Sequence, residues 1–253
     1  MLPTHRALHV WRRDLESWRR YAVSFLVAAL GEPIFYLLAI GYGLGRFVRP
    51  IEGVPYAVFL APGMIALTAM NSATFETTFG SFTRMTQQHT YAAILATPCS
   101  VADVVAGDIL WAATKSTIAV AFVLVLTGLF GLLASPLALA LLPVAFLVGF
   151  LFGALGMLVT ARAPSYDFFN YYFTLVISGM FLFSGVFFPL ESLPAWARSV
   201  AWFLPLTHAV TIARAFTSGV VHPGVVADLA WIVAVGTVAF VIAERWVRAR
   251  VLP

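Results

Sequence analysis

Long apolar stretches broken by short polar ones dominate this chain. About 20 predominantly apolar residues cross a bilayer as a helix. Six runs reach that length: residues 22–44, 57–80, 108–130, 136–160, 168–188 and 224–247. Ahead of the first run, Leu8, Trp11, Leu15, Trp18 and Ala22 recur at three- and four-residue steps. Arg12, Arg13, Asp14, Glu16, Arg19 and Arg20 fill the other faces. This pattern predicts an amphipathic helix lying in the membrane interface, with Trp on its apolar side and Arg on its polar side. A plain basic flank to the first span is the alternative.

Two connections stand out. Residues 81–107 read as two short helices broken at Pro98, with Tyr91, Ile94 and Leu95 on one apolar edge. Ser100 and Asp103 have capping-box spacing, so a new helix should begin at Val101 and run into the third span. An ordered, partly apolar elbow of this kind is a candidate docking surface. Residues 185–223 are apolar, yet Pro189, Pro194 and Pro205 cut them into pieces of about ten residues, too short to cross. They suit half-helices that dip into the outer leaflet and return, with Trp196 and Trp202 at headgroup level. A loose loop on the outer surface is the alternative.

Composition agrees with this pattern. The chain is 61% hydrophobic and 10% charged over 253 residues. That excess of apolar side chains cannot fit inside one water-soluble core, so an ordinary soluble enzyme and a disordered protein are both excluded. The single cysteine, Cys99, rules out an intrachain disulfide and a Cys-based zinc cluster. No removable signal peptide is expected, so the first apolar run should remain as an anchor. Fourteen of the 15 basic residues are Arg. Eleven basic residues (Arg6, Arg12, Arg13, Arg19, Arg20, Arg84, Lys115, Arg162, Arg245, Arg248, Arg250) fall on the side of the N-terminus. Four (Arg46, Arg49, Arg198, Arg214) fall opposite. The positive-inside rule then places both termini in the cytoplasm, and the basic balance reports topology, not nucleic-acid binding.

Catalytic motifs do not emerge. The only Lys, in Trp111–Ala112–Ala113–Thr114–Lys115–Ser116, has Ile109 and Thr114 at the glycine positions of a P-loop. His5 and His9 have i, i+4 spacing but no third metal ligand nearby in sequence, so no metal site is expected. Two carboxylates fall within spans. Glu32 lies in Gly31–Glu32–Pro33 of the first. Glu76 lies in the second, where Thr68, Ser72 and Glu76 follow at four-residue steps with Asn71 on the adjoining edge. A carboxylate at membrane depth must face protein or water. The stripe reads either as a lining for a polar substrate path or as inter-helix hydrogen bonding. On the path reading, Glu76→Ala is expected to impair passage of a polar substrate and to spare assembly. Gly41 and Gly45, and Gly149 and Gly153 with Gly156 one turn on, have small-residue spacing for close helix packing, within the chain or across a dimer.

Phe183–Ser184–Gly185–Val186–Phe187–Phe188–Pro189–Leu190–Glu191–Ser192–Leu193–Pro194–Ala195–Trp196, followed by Phe203–Leu204–Pro205–Leu206–Thr207–His208, resembles the signature of type-2 ABC exporter permeases. Gly63–Met64, Met70–Asn71–Ser72–Ala73–Thr74–Phe75–Glu76–Thr77–Thr78 and Tyr91–Ala92–Ala93–Ile94–Leu95–Ala96–Thr97–Pro98 look like the nodulation-factor exporter branch, which exports lipo-chitooligosaccharides and whose relatives handle drugs and polysaccharides. The resemblance covers nearly the whole chain. It implies an all-α integral membrane protein with six transmembrane helices, acting in the bacterial plasma membrane as a homodimer with two ATP-binding subunits. ATP and Mg would be bound by those partners, with no cofactor in this chain. It implies one transmembrane domain over residues 1–253: an interfacial helix (1–21), spans one to five (22–188), re-entrant outer helices (189–222), and the last span with its tail (223–253). Arg84, Tyr91, Ile94 and Leu95 would belong to the coupling helix that docks on the ATPase. Trp11, Leu15 and Trp18 would seat the interfacial helix in lipid. Gly185, Pro189, Pro194, Trp196 and Pro205 would shape the outer gate, and Thr68, Asn71, Ser72 and Glu76 would line the substrate path. The rivals are an intramembrane enzyme using Glu32, Glu76 and Asp167 as acids, and a scaffold that does not transport.

Overall fold

The computed structural model describes residues 3–51 and 53–252. Helices carry most of them, and no strand forms among the described residues. Five helices are long and apolar enough to cross a membrane: α2 (Ala22–Arg46), α3 (Tyr56–Thr86), α5 (Val101–Leu129), α6 (Pro136–Arg162) and α10 (Gly224–Val251). The remaining helices are shorter: α1 (Ala7–Trp18), α4 (Thr90–Leu95), α7 (Asp167–Phe183), α8 (Ala195–Trp202) and α9 (Pro205–Ser218).

The chain occupies the expected fifth span with α7, a shorter apolar helix that stops at Phe183 and not at 188. It ends because Gly185 takes a left-handed backbone conformation and the chain turns into the short helical turn Leu190–Ser192. α5 begins at Val101 behind a complete Ser100–Asp103 capping box. The elbow breaks twice: once at left-handed His89 and once in the stretch around Pro98.

α3, α5, α6 and α10 form the packed centre, and α9 closes it from the end opposite the termini. Leu60, Met64, Met70, Trp111, Phe152 and Met157 are among its fully buried side chains. The glycine pairs settle inside the chain. Gly41 and Gly45 face Ala57 and Tyr56, while Gly149, Gly153 and Gly156 face Ser116, Ala112 and Thr77. By contrast α2 is mostly exposed, presenting Val23, Val27, Phe35 and Leu38 outward. Beyond Pro33, which lacks a backbone N–H, α2 widens into π-helical turns over Tyr36–Gly43.

The two ends of the bundle differ in chemistry. At the end holding the termini, the Arg250 guanidinium donates to the Thr160 and Ala163 carbonyls at 2.7 and 2.8 Å. Arg162 lies over the Trp246 ring at 4.4 Å. At the opposite end, Trp196, Trp202 and Phe203 project outward. Pro194 and Pro205 sit just before or at the first residues of α8 and α9, where a missing N–H is harmless. Both helices are too short to cross.

Candidate functional site

A cavity of about 310 Å³ opens between α2, α3 and α5 near their midpoints. Phe25, Ala28, Ala29 and Phe75 give it apolar walls, and Glu32, Thr68, Asn71, Ser72 and Lys115 supply the polar lining. Asn71 Nδ2 donates to Glu32 Oε2 at 2.9 Å. The Thr68 hydroxyl is used within α3, donating to the Met64 carbonyl at 2.8 Å. Asn71 Oδ1 and Ser72 Oγ are buried with no hydrogen-bond partner among the described residues. Those two atoms give the cavity spare capacity to bond a polar guest.

Three of the four residues expected along the substrate path therefore line one cavity. Glu76 does not. It is buried at the start of a π-helical stretch, Glu76–Gly80, with both oxygens occupied. Oε2 accepts from Lys115 Nζ at 2.7 Å and Oε1 from Arg84 Nη1 at 2.8 Å. Lys115, grouped by sequence with the flanking charges, in fact lies mid-helix on α5 and lines the cavity, with Nζ 4.4 Å from the Phe25 ring centre. Glu32 and Lys115 are thus cavity residues that sequence reasoning did not select for the path. The available signals were a lone Lys in an apolar run and a carboxylate beside proline.

The Glu76 pair is one end of a larger ion network. Arg84 Nη2 reaches Asp108 Oδ2 at 3.1 Å and the Ser81 hydroxyl at 3.1 Å. The Tyr91 hydroxyl donates to the same Asp108 oxygen at 2.7 Å. Asp14 of α1 lies 3.9 Å from Arg84 and accepts from Arg13 Nη2 at 2.6 Å. Burial, reinforced by the nearby Asp108 charge, pushes the Asp14 carboxyl up to about 7, against the pull of Arg84 and Arg13. Burial and Asp108 likewise raise the Tyr91 phenol well above its usual range, keeping its proton on the oxygen that donates.

This geometry corrects two sequence expectations. Arg84 and Tyr91 do not face outward as docking groups. They point inward, because both are needed to neutralise or bond Asp108, which has no exposure at all. Ile94 and Leu95 are half-buried against the bundle, and Ala92 and Ala93 form the exposed side of α4. Asp14, placed by periodicity on the polar face of α1, is instead buried toward α5 together with Ala7 and Val10. Leu8 turns outward, and Leu15 is half-buried. Trp11 Nε1 donates to Thr114 Oγ1 at 2.9 Å, and the Trp18 ring meets Trp111 edge-on at 5.8 Å. The indoles thus seat α1 on α5. Arg6 also donates to the Pro98 carbonyl, and the Thr4 hydroxyl donates to Asp103 at 2.8 Å. α1, the elbow and the ends of α3 and α5 nearest the termini are consequently bonded into one unit.

The acids of the enzyme alternative find no common purpose. Glu32 serves Asn71, Glu76 serves Lys115 and Arg84, and Asp167 is exposed at the start of α7.

Comparison with known proteins agrees with the helical layout. The chain is similar to Nodulation protein J of Rhizobium leguminosarum bv. trifolii, with 44% identity over 214 residues, 85% of this chain and 81% of that protein. It is 38% identical to Nodulation protein J of Rhizobium meliloti (strain 1021) over 246 residues, 96% of this chain and 93% of that one. Inner membrane transport permease YadH of Escherichia coli (strain K12) is 21% identical over 80% of this chain and 78% of its own. No solved structure matches the chain. The pattern of the ABC-2 type transporter family matches residues 6–216, and with span-length helices flanking a polar cavity, the chain belongs to that family as a membrane-embedded transport permease.

Proposed function

We propose that this permease is the membrane half of an ATP-driven exporter. Two copies pair in the bacterial plasma membrane, with both termini in the cytoplasm, and each engages an ATP-binding subunit through its elbow. The cargo is an amphiphile with a polar, hydroxyl- or amide-bearing head, of the lipo-oligosaccharide or glycolipid type. A drug or polysaccharide exporter is the second reading within the same family.

One observation carries the transport reading. Glu32 sits about halfway along α2 and is exposed in a groove whose other polar residues, Asn71, Ser72 and Lys115, also lie at mid-helix. A carboxylate at the bilayer centre costs about 2.5–3.5 kcal/mol on insertion scales when it faces lipid. The groove is therefore better suited to water or to a polar guest than to acyl chains. The unpartnered Asn71 Oδ1 and Ser72 Oγ favour a guest that offers N–H or O–H groups. Coupling follows from the bonded unit described above. A push on α4 is passed through Tyr91 to Asp108, through Arg84 to Glu76, and through Lys115 to the cavity wall. Such relative motion of packed helices is an established switching mode.

Two experiments test this. Asn71→Leu with Ser72→Ala removes the spare polar atoms without enlarging the side chain at buried Ser72. Export by the reconstituted complex should fall about tenfold with expression unchanged. Export equal to wild type would remove the cavity from the path. Ile94→Glu or Leu95→Glu, and the more exposed Ala92→Glu as a variant less able to disturb packing, should abolish co-purification of the ATP-binding subunit or uncouple its turnover. Unchanged co-purification and unchanged coupled turnover in all three would refute the docking assignment.

A further inference from the structure

The outer end of the bundle holds a buried histidine that the transport path does not use. His208, in the second turn of α9, is buried. Its Nε2 lies 2.8 Å from the Trp202 carbonyl, at the end of α8, and its Nδ1 lies 2.6 Å from Asp228 Oδ1 on α10. One ring thereby joins three helices. A backbone carbonyl only accepts, so Nε2 must carry a proton. A hydrogen bond between Nδ1 and a carboxylate oxygen needs a second one. Both bonds exist together only while two protons are shared over this pair.

Three neighbours favour placing both protons on the ring. Asp228 supplies an anion. The Trp202 carbonyl is the last of α8, at the negative end of that helix. The Trp231 indole stacks on the imidazole with centroids 4.3 Å apart and planes 24° apart, the arrangement that attracts a cation to a ring face. Among the described residues Asp228 is the one charged group in ion-pair range of the ring. Arg198 on α8 turns away to the Glu191 and Leu193 carbonyls. Arg214 on α9 reaches the Gly185 carbonyl at 2.6 Å and lies over Phe59 of α3.

We infer that His208 is a positioning residue: as an imidazolium it pins the α8–α9 hairpin to the last span, and losing a proton releases one of the two attachments. On the exporter reading, on which this functional part rests, the hairpin lies over the exit, and its release is the step that lets cargo leave. Export would then slow when the latch is held protonated and also when it is removed.

The test uses the full chain in lipid nanodiscs and needs no cargo or ATPase, so it stands apart from the exporter reading. Nitrogen-15 histidine spectra at neutral pH should show one imidazolium signal that can be assigned to His208 through selective labelling, since His208–Ala209 is the only His–Ala pair in the chain. Spin labels at Ser199→Cys and Val226→Cys, in a Cys99→Ser background, report the distance from α8 to α10; both positions are exposed. The distribution should be narrow near pH 5 and broaden toward pH 9, across the range in which histidine titrates. His208→Gln should abolish that broadening. A neutral His208 ring at neutral pH, distances that ignore pH in the wild-type chain, or a pH response that survives His208→Gln would each overturn the inference.

Discussion

Glu76→Gln is expected to destabilise the permease by about 3–5 kcal/mol, the range found when one partner of a buried ion pair is removed. The carboxylate is 5% exposed and both its oxygens are committed, to Lys115 and to Arg84. An amide in its place offers one acceptor oxygen and no charge. That oxygen can serve Lys115 or Arg84 but not both, and the other cation would face an NH2 group. The sequence alone suggested that loss of this side chain would spare assembly and affect transport. The structure moves the effect upstream, to folding and to the integrity of the inner network. Thermal unfolding in detergent, followed by the fraction that elutes monodisperse, measures it. Lys115→Met should also destabilise, by leaving Glu76 Oε2 without its partner while Arg84 still holds Oε1. The double variant should recover part of the loss, since it removes the charge and the countercharge together. A Glu76→Gln protein that melts with wild type would show the pair to be dispensable and return Glu76 to candidacy as a cargo contact.

What the sequence revealed and what it hid divide along a physical line. Local signals were legible. Run lengths located the long spans, the Ser100–Asp103 spacing placed the start of α5 at Val101, and the prolines after 188 foretold that α8 and α9 are short. Pairings between distant helices were not. Arg84 and Asp108 are 24 residues apart, and Glu76 and Lys115 are 39 apart. No periodicity within one helix announces such partners. The α1 face was misjudged for the same reason. Its moment correctly gave an amphipathic helix, yet Asp14 is drawn inside because Arg84 and Arg13 wait there. Of the candidate site, the Asn71–Ser72 stripe was readable at helical spacing. The third wall was not, since Lys115 had to be brought in by the packing of α5 on α3.

That packing is the basis of the second large effect. Gly149→Leu is expected to prevent the central helices from closing, leaving little folded protein. A Cβ at Gly149 would stand 2.8 Å from the Ala113 Cα and 2.6 Å from the Ser116 Cβ, so the α5 backbone itself would have to retreat. Ser116 is also the group that ties three helices, with its hydroxyl 3.1 Å from both the Ala69 and the Ala145 carbonyls. Overpacking of this kind costs about 1–3 kcal/mol before any hydrogen bond is lost. Lipid adds no hydrophobic force to hold the helices together against it, so close packing is what the interface depends on. Gly179→Ala is the matched control, because nothing lies within 4 Å of its Cβ position and it should be tolerated. Gly41→Ala, at 3.4 Å from Ala57, should also cost little. The comparison separates the two uses of small residues. If Gly149 packs helices within one chain, Gly149→Leu lowers the yield and melting temperature of the folded monomer. If it served a contact between copies, the monomer would fold and melt normally and only dimer formation, read by mass photometry in nanodiscs, would be lost.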